Sequence, residues 1–262
     1  MTHVKRPVVA GLFYPEEPRM LRREVEGFVN TAHAVAPPRR PHALVAPHAG
    51  YRYSGPVAGS AYAALTPWAD SIRRVVVLAP SHRVAFRGIA LSSADSFATP
   101  IGDITVDSAA RDRLLTLPAT GLFDAAFAEE HALEVQLPFL QAVLGEFTLV
   151  PIVVGDDEAA DVAQVIEELQ DDDTLIVVSS DLSHYHPYAD CQSRDRSTSA
   201  NIEALRGDAI GPHDACGAFP LRGLLVTAAN HAWQVQTLDL RNSGDTSGDR
   251  SRVVGYGAYV FY

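Results

Sequence analysis

Three stretches of the chain end alike, with an apolar run followed within a few positions by a histidine or an aspartate. They are Val45-Ala-Pro-His48, Val77-Leu-Ala-Pro-Ser-His82 and Val178-Ser-Ser-Asp181-Leu-Ser-His184. Neutral imidazole is the commonest transition-metal ligand, and three imidazoles beside a carboxylate, with a position left open, suit iron, copper or zinc. One such histidine caps a strand or bonds a loop carbonyl as readily as it ligates, but the repetition argues for a shared site. Glu129-Glu130-His131-Ala-Leu-Glu134-Val-Gln136 adds a fourth group. Read as the start of a helix over 130–144, it places Glu130 and Glu134 on one face and turns His131 about 100° away. An acidic first turn also suits the helix dipole, whereas His131 near a metal is suited to take a proton close to neutral pH. The spacing is not that of H-E-x-x-H. Tyr51 and Tyr53 follow the first of these histidines closely, placed either to touch a substrate or to pack the loop.

Competing chemistries lack their parts. Gly255-Tyr-Gly257 has no helix after it, Ser81 sits in Pro-Ser-His rather than a G-x-S-x-G elbow, and no Walker A sequence occurs. Cys191 falls within a predicted helix and reads as inert, while Cys216-Gly217 reads as a turn near the site, with a structural or a functional role.

Positioning this group requires a sheet. Continuous apolar runs at 42–46, 74–79, 147–154 and 174–179 read as strands buried on both faces. Between them, helical periodicity covers 16–34, 54–65, 107–117, 130–144, 158–169 and 187–205. This alternation predicts an α/β fold with a central, mostly parallel sheet and helices on both faces. Ligands in such sheets bind beyond the carboxyl ends of the strands, where these histidines fall. Segments 233–240 and 252–262 flank a turn-rich stretch, predicting antiparallel C-terminal strands at an edge. The Pro-rich residues 36–41 read as a loop before the first core strand, so one domain, 1–262, is expected.

The 262 residues are 47% hydrophobic and carry 21 Lys and Arg against 32 Asp and Glu, a net charge of −11. That balance argues against nucleic acid or an anionic membrane surface as a partner. Two cysteines outside any C-x-x-C spacing suit a reducing, cytoplasmic setting. No run approaches the ~20 apolar residues of a membrane span, nor is a secretory leader apparent.

Taken in order, Ala10-Gly-Leu-Phe-Tyr-Pro15, Pro47-His-Ala-Gly-Tyr51 with Ser54-Gly55, Pro80-Ser-His82, Glu130-His131 with Glu134 and Leu137-Pro138, Ser180-Asp181-Leu-Ser-His184 and Cys216-Gly217 resemble the motifs of the Memo family (mediator of cell motility). Its microbial members are called AmmeMemoRadiSam system protein B. The resemblance implies a fold similar to class III, non-haem extradiol dioxygenases, with a metal at the strand ends. Matched by motif, it implies His48, His82 and His184 as the site histidines, with Asp181 and His131 nearby. It further implies iron(II), with copper or zinc as alternatives, and a small aromatic or chelating substrate contacted by Tyr51, Tyr53 and Glu130. His131 or His184, whichever is not a ligand, is then the base, with Asp181 assisting. The other expectation is a non-catalytic protein that uses the same cleft to bind a metal or a peptide segment. Animal members place a cysteine in the turn before the last strand; the stretch 243–249 here has none, which makes Asp245 or Asp249 the expected replacement ligand.

Overall fold

The run from Arg74 to Pro80 is apolar almost throughout because both of its faces are covered. Val75, Val77 and Ala79 enter one hydrophobic core, and Val76 and Leu78 enter a second on the opposite side. In the computed structural model, which describes residues 3–33 and 36–262, this strand lies near the middle of a nine-stranded sheet. The strands are β1 (Val4–Lys5), β2 (Ala43–Ala46), β3 (Arg74–Pro80), β4 (Ile89–Leu91), β5 (Ser96–Thr99), β6 (Gly102–Thr105), β7 (Thr120–Leu122), β8 (Thr148–Val154), β9 (Thr174–Ser179), β10 (His184–His186), β11 (Val235–Asn242) and β12 (Val253–Phe261). The helices are α1 (Pro18–Thr31), α2 (Tyr51–Ala63), α3 (Ser108–Leu114), α4 (Ala125–Ala128), α5 (Leu137–Leu144), α6 (Ala159–Leu169), α7 (Tyr188–Glu203), α8 (Ala218–Asn230) and α9 (Ser243–Ser247).

The large sheet runs β10-β12-β2-β9-β3-β8-β4-β7, with β11 also paired to β12, while β1, β5 and β6 form a small separate sheet. Its middle strands β2, β9, β3 and β8 are parallel. Antiparallel pairs flank them: β12 with β2, β10 and β11, and β4 with β8. The α/β class and helices on both faces are as expected, with α1, α2 and α5 against the first core and α3, α6 and α8 against the second. The parallel centre and the antiparallel C-terminal strands are as expected, within a sheet that is mixed as a whole: β12 pairs with β2, and β11, paired only with β12, forms the edge.

Helix boundaries differ from the periodic reading for local reasons. α1 starts at Pro18 because the Glu17 side chain accepts from the Arg19 and Met20 amides, capping the helix there. Its predicted last residue, Ala34, lies outside the described residues. The helix predicted over 130–144 is broken: residues 129–133 are irregular, Glu134–Gln136 is a single 3₁₀ turn, and α5 begins at Leu137 with Pro138 in its first turn. Glu130 and Glu134 therefore share no helix face. The turn-rich stretch 241–250 contains α9, closed by a capping box between Asn242 and Asp245.

Candidate metal centre

β9 lies between β2 and β3, and all three run the same way. His48, Asp181 and His82 each stand two residues past the end of one of these strands, so the pattern read from the sequence becomes one physical ridge. His131 reaches the same place from the irregular 129–133 segment. Ligand atoms of His48, His82 and His131 all lie within 4.8 Å of one another, the one such group of three among the described residues. The ring centroids of His48 and His82 are 5.1 Å apart, and those of His82 and His131 also 5.1 Å. His184 is outside this trio. It sits on β10 and, with His82 and Cys216, lines an adjoining cavity of about 690 Å³.

Buried partners orient two of the three rings. Ser179 Oγ donates its single proton to the Ala132 carbonyl at 2.7 Å and accepts from Gln136 Nε2 at 2.8 Å. Toward His48 Nδ1, 2.8 Å away, it can only accept. His48 thus carries its proton on Nδ1, and its Nε2 lone pair points toward Cys216 Sγ at 3.2 Å. Gln136 is fully buried and anchored in turn, accepting from the Tyr62 hydroxyl and donating to the Pro47 carbonyl. Glu130 does for His82 what Ser179 does for His48. Its carboxylate accepts from His82 Nδ1 at 2.9 Å, from the His82 amide at 2.6 Å, and from the His131 and Ala132 amides at 2.9 Å each. An ionised carboxylate only accepts, so His82 also keeps its proton on Nδ1 and frees Nε2. His131 Nδ1 is buried with no hydrogen-bond partner among the described residues, so its tautomer is left open.

Electrostatics favour neutral ligands. Burial, reinforced by His82, His131 and His184, holds His48 well below the usual histidine range. Burial, opposed by Glu130 and reinforced by His82 and Arg83, brings His131 down to about 4. Burial alone would raise Glu130, but the hydrogen bonds from His82 and from backbone amides keep it below its ordinary value. Asp181 is pushed up to about 6 by burial against the opposing hydrogen bond from the His48 amide. Burial and the nearby Asp181 raise the Cys216 thiol, so it holds its proton unless a cation displaces it.

These features fit a bound metal. Two histidines offer free lone pairs with their other nitrogens fixed by an outer shell, the usual arrangement around metal-ligating imidazoles. A third imidazole and a sulfur stand beside them.

The remaining expected residues fall elsewhere. Tyr51 is buried, donates its hydroxyl to the Val135 carbonyl and packs on Phe139, so it braces the wall. Tyr53 is 39% exposed. Glu130 is spent on His82 and backbone amides. Asp245 accepts from the Tyr188 hydroxyl and from the Asn242 amide in the α9 cap, and Asp249 accepts from Ser251, so neither belongs to the histidine group. No sulfur lies in 243–249, but Cys216 Sγ stands 3.2 Å from His48 Nε2. It is placed there because Gly217, at the start of α8, lets the chain come so close that a Cβ would lie 2.7 Å from the Ser179 carbonyl. Glu134, also away from the metal group, accepts from the Val8 and Val9 amides and the Tyr14 hydroxyl. It thereby straps the N-terminal segment down, and Phe13 of that segment rests edge-on against His131. Ser179 and Gln136 escape sequence reasoning. Their one signal is a polar side chain at a position where the apolar pattern calls for burial.

Known proteins agree with this architecture. The model of the family described as "Memo-like protein" matches residues 5–260. A MEMO1 family protein of Methanopyrus kandleri is 36% identical, with 98% of each chain covered. One from Aquifex aeolicus is 34% identical over 98% of this chain and 99% of its own. The crystal structure of an uncharacterized Escherichia coli K12 protein superposes with a TM-score of 0.52 at 14% identity, covering 85% of this chain and all of that one, which shows likeness of fold alone. On a full-length family match and relatives above 30% identity, the chain belongs to the Memo family.

Proposed function

We propose that His48, His82 and His131 hold one divalent first-row metal, with Cys216 at its border, and that the centre is an oxidoreductase site of extradiol-dioxygenase type for a small chelating substrate. The observation that carries this reading is the locked tautomer of His48 and His82, each with its proton turned toward Ser179 or Glu130 and its lone pair left free. His131 takes the ligand place first expected of His184. His184, on the wall of the adjoining cavity, becomes the base that takes a substrate hydroxyl proton, and Asp181 steadies the charge that develops there. His48, His82 and His131 would hold iron(II), which would supply Lewis-acid and redox chemistry for the substrate.

Cys216 supports a second reading, a protein that holds a metal without turnover. A sulfur 3.2 Å from His48 Nε2 suits copper or zinc at least as well as iron.

Anaerobic titration with iron(II), zinc and copper(I) is expected to give about one metal per chain, with His48→Ala, His82→Ala and His131→Ala each weakening uptake at least tenfold. Wild-type affinity in those variants would overturn the ligand set. Oxygen uptake by the iron-loaded protein against a catechol panel then separates the two readings. Turnover lost in His184→Gln with metal retained supports the enzyme, and metal binding without oxygen consumption supports the holder.

A further inference from the structure

The cavity beside the histidine trio has a lining unlike the rest of the chain. Its volume of about 690 Å³ is that of a small-molecule site. Besides His82 and Cys216, its polar wall comprises His184, Tyr185 and His186 of β10, Arg194 of α7 and His213. None of the lining residues carries a carboxylate, in a protein where Asp and Glu outnumber Lys and Arg 32 to 21. Among the described residues Arg194 has no ion-pair partner. A guanidinium stays charged at any physiological pH and presents a planar fork suited to carboxylate oxygens.

Tyr185 gives the mouth a shape. Its φ is 60°, a left-handed value that a bulky residue rarely adopts. The pairing of β10 with β12 slips between His184 and His186, and Tyr185 lies within this slip, 62% exposed, with the Arg252 guanidinium 5.3 Å from its ring centroid. Backbone strain of this kind persists where the surrounding structure imposes it, and such positions cluster at ligand clamps.

We propose that this cavity selects a planar, anionic small molecule, whose acidic group pairs with Arg194 and whose ring lies against Tyr185. The direction of its reacting end, toward His82, rests on the proposed metal centre; the anion subsite itself rests on Arg194 and Tyr185. The test is a titration of metal-free and zinc-loaded protein with benzoate, benzamide and acetate, followed by NMR, with metal uptake measured in parallel. Benzoate is expected to bind metal-free protein about tenfold or more tightly than benzamide, because only the carboxylate forms a charge-assisted pair. Arg194→Gln should bring the two to parity, and Arg194→Lys should restore part of the preference. Tyr185→Gly accommodates the positive φ without strain and is expected to weaken benzoate while leaving acetate unchanged. Equal binding of benzoate and benzamide, no saturable benzoate binding, or a preference that survives Arg194→Gln would overturn the subsite. Absence of selectivity in the wild-type protein with intact metal uptake refutes the subsite alone. Selectivity without metal uptake refutes the metal centre alone.

Discussion

Ser179 is the residue on which the centre's geometry converges, since one hydroxyl fixes the His48 ring, receives Gln136 and closes on the Ala132 carbonyl beside His131. Ser179→Ala leaves His48 Nδ1 and one Gln136 proton unpaired in a buried setting, each costing on the order of 1–3 kcal/mol. The expected outcome is a folded but less stable protein whose metal affinity falls ~10- to 100-fold, the range found for outer-shell partners. Calorimetric metal titration and urea unfolding measure the two effects separately, and unchanged affinity would show that Ser179 is only structural. Glu130→Gln tests the matching position. It keeps the shape but replaces an acceptor-only group with one that must turn an amide toward some of its four donors, so a similar loss is expected.

At the scale of elements, the sequence shows the strands that end in the site more clearly than the segments that complete it. β3, β8 and β9 are buried on both faces and hence apolar at nearly every position, and the histidine and aspartate endings of β2, β3 and β9 follow from that run. α8 is hidden because its less buried stripe, Phe219, Arg222, Val226, Ala229 and Asn230, is itself largely apolar and so gives little contrasting polar face. β4 to β7 are only three or four residues each, too short for alternation to register. Residues 130–133 read as helix because their side chains continue a helical spacing, whereas the Glu130 carboxylate captures the amides a first turn would leave free. Gly217→Ala is the test of how α8 docks. With a Cβ 2.7 Å from backbone, the helix start must retreat from β9 and carry Cys216 away from His48, so thiol labelling is expected to speed up and stability to fall by ~1–3 kcal/mol. Asp107 holds another junction, capping α3 through the Ala110 amide and pairing with Arg74 of β3. Asp107→Ala is expected to cost about 1 kcal/mol for the cap. Its hydrogen bonds and Arg74 outweigh burial and hold Asp107 below its ordinary value, so its contribution is complete above the unfolded carboxylate range near pH ~4 and fades as pH falls through the folded value. Acid unfolding of the variant should accordingly be shallower below that pH, as followed by circular dichroism.

Seen as a whole, the molecule concentrates its exceptions to composition in one place. A chain of net charge −11 surrounds a cavity without carboxylates, and none of its described helices is long and apolar enough to cross a membrane. Several of the family motifs were readable because they follow the carboxyl ends of β2, β3 and β9, where short-range chemistry leaves its own residue types. The identity of the third clustered histidine was not, because the distance from His131 to His48 depends on chain reversals that no local pattern encodes.

The insertion of β12 between β2 and its β10 and β11 partners carries a consequence for the order of events during folding. His48 is brought beside His82 through the pairing of β2 with β9, and β2 is complete only when β12 joins its other side; both neighbours lie more than a hundred residues away in the chain. So many non-local pairings make a slow, late-closing topology, and the imidazoles are scattered until it closes. Metal should then be captured by a finished cage instead of nucleating one. Stopped-flow refolding with and without zinc is expected to give the same folding rate, with the whole stabilisation appearing as slower unfolding. A folding arm accelerated by zinc would mean that the histidines gather first.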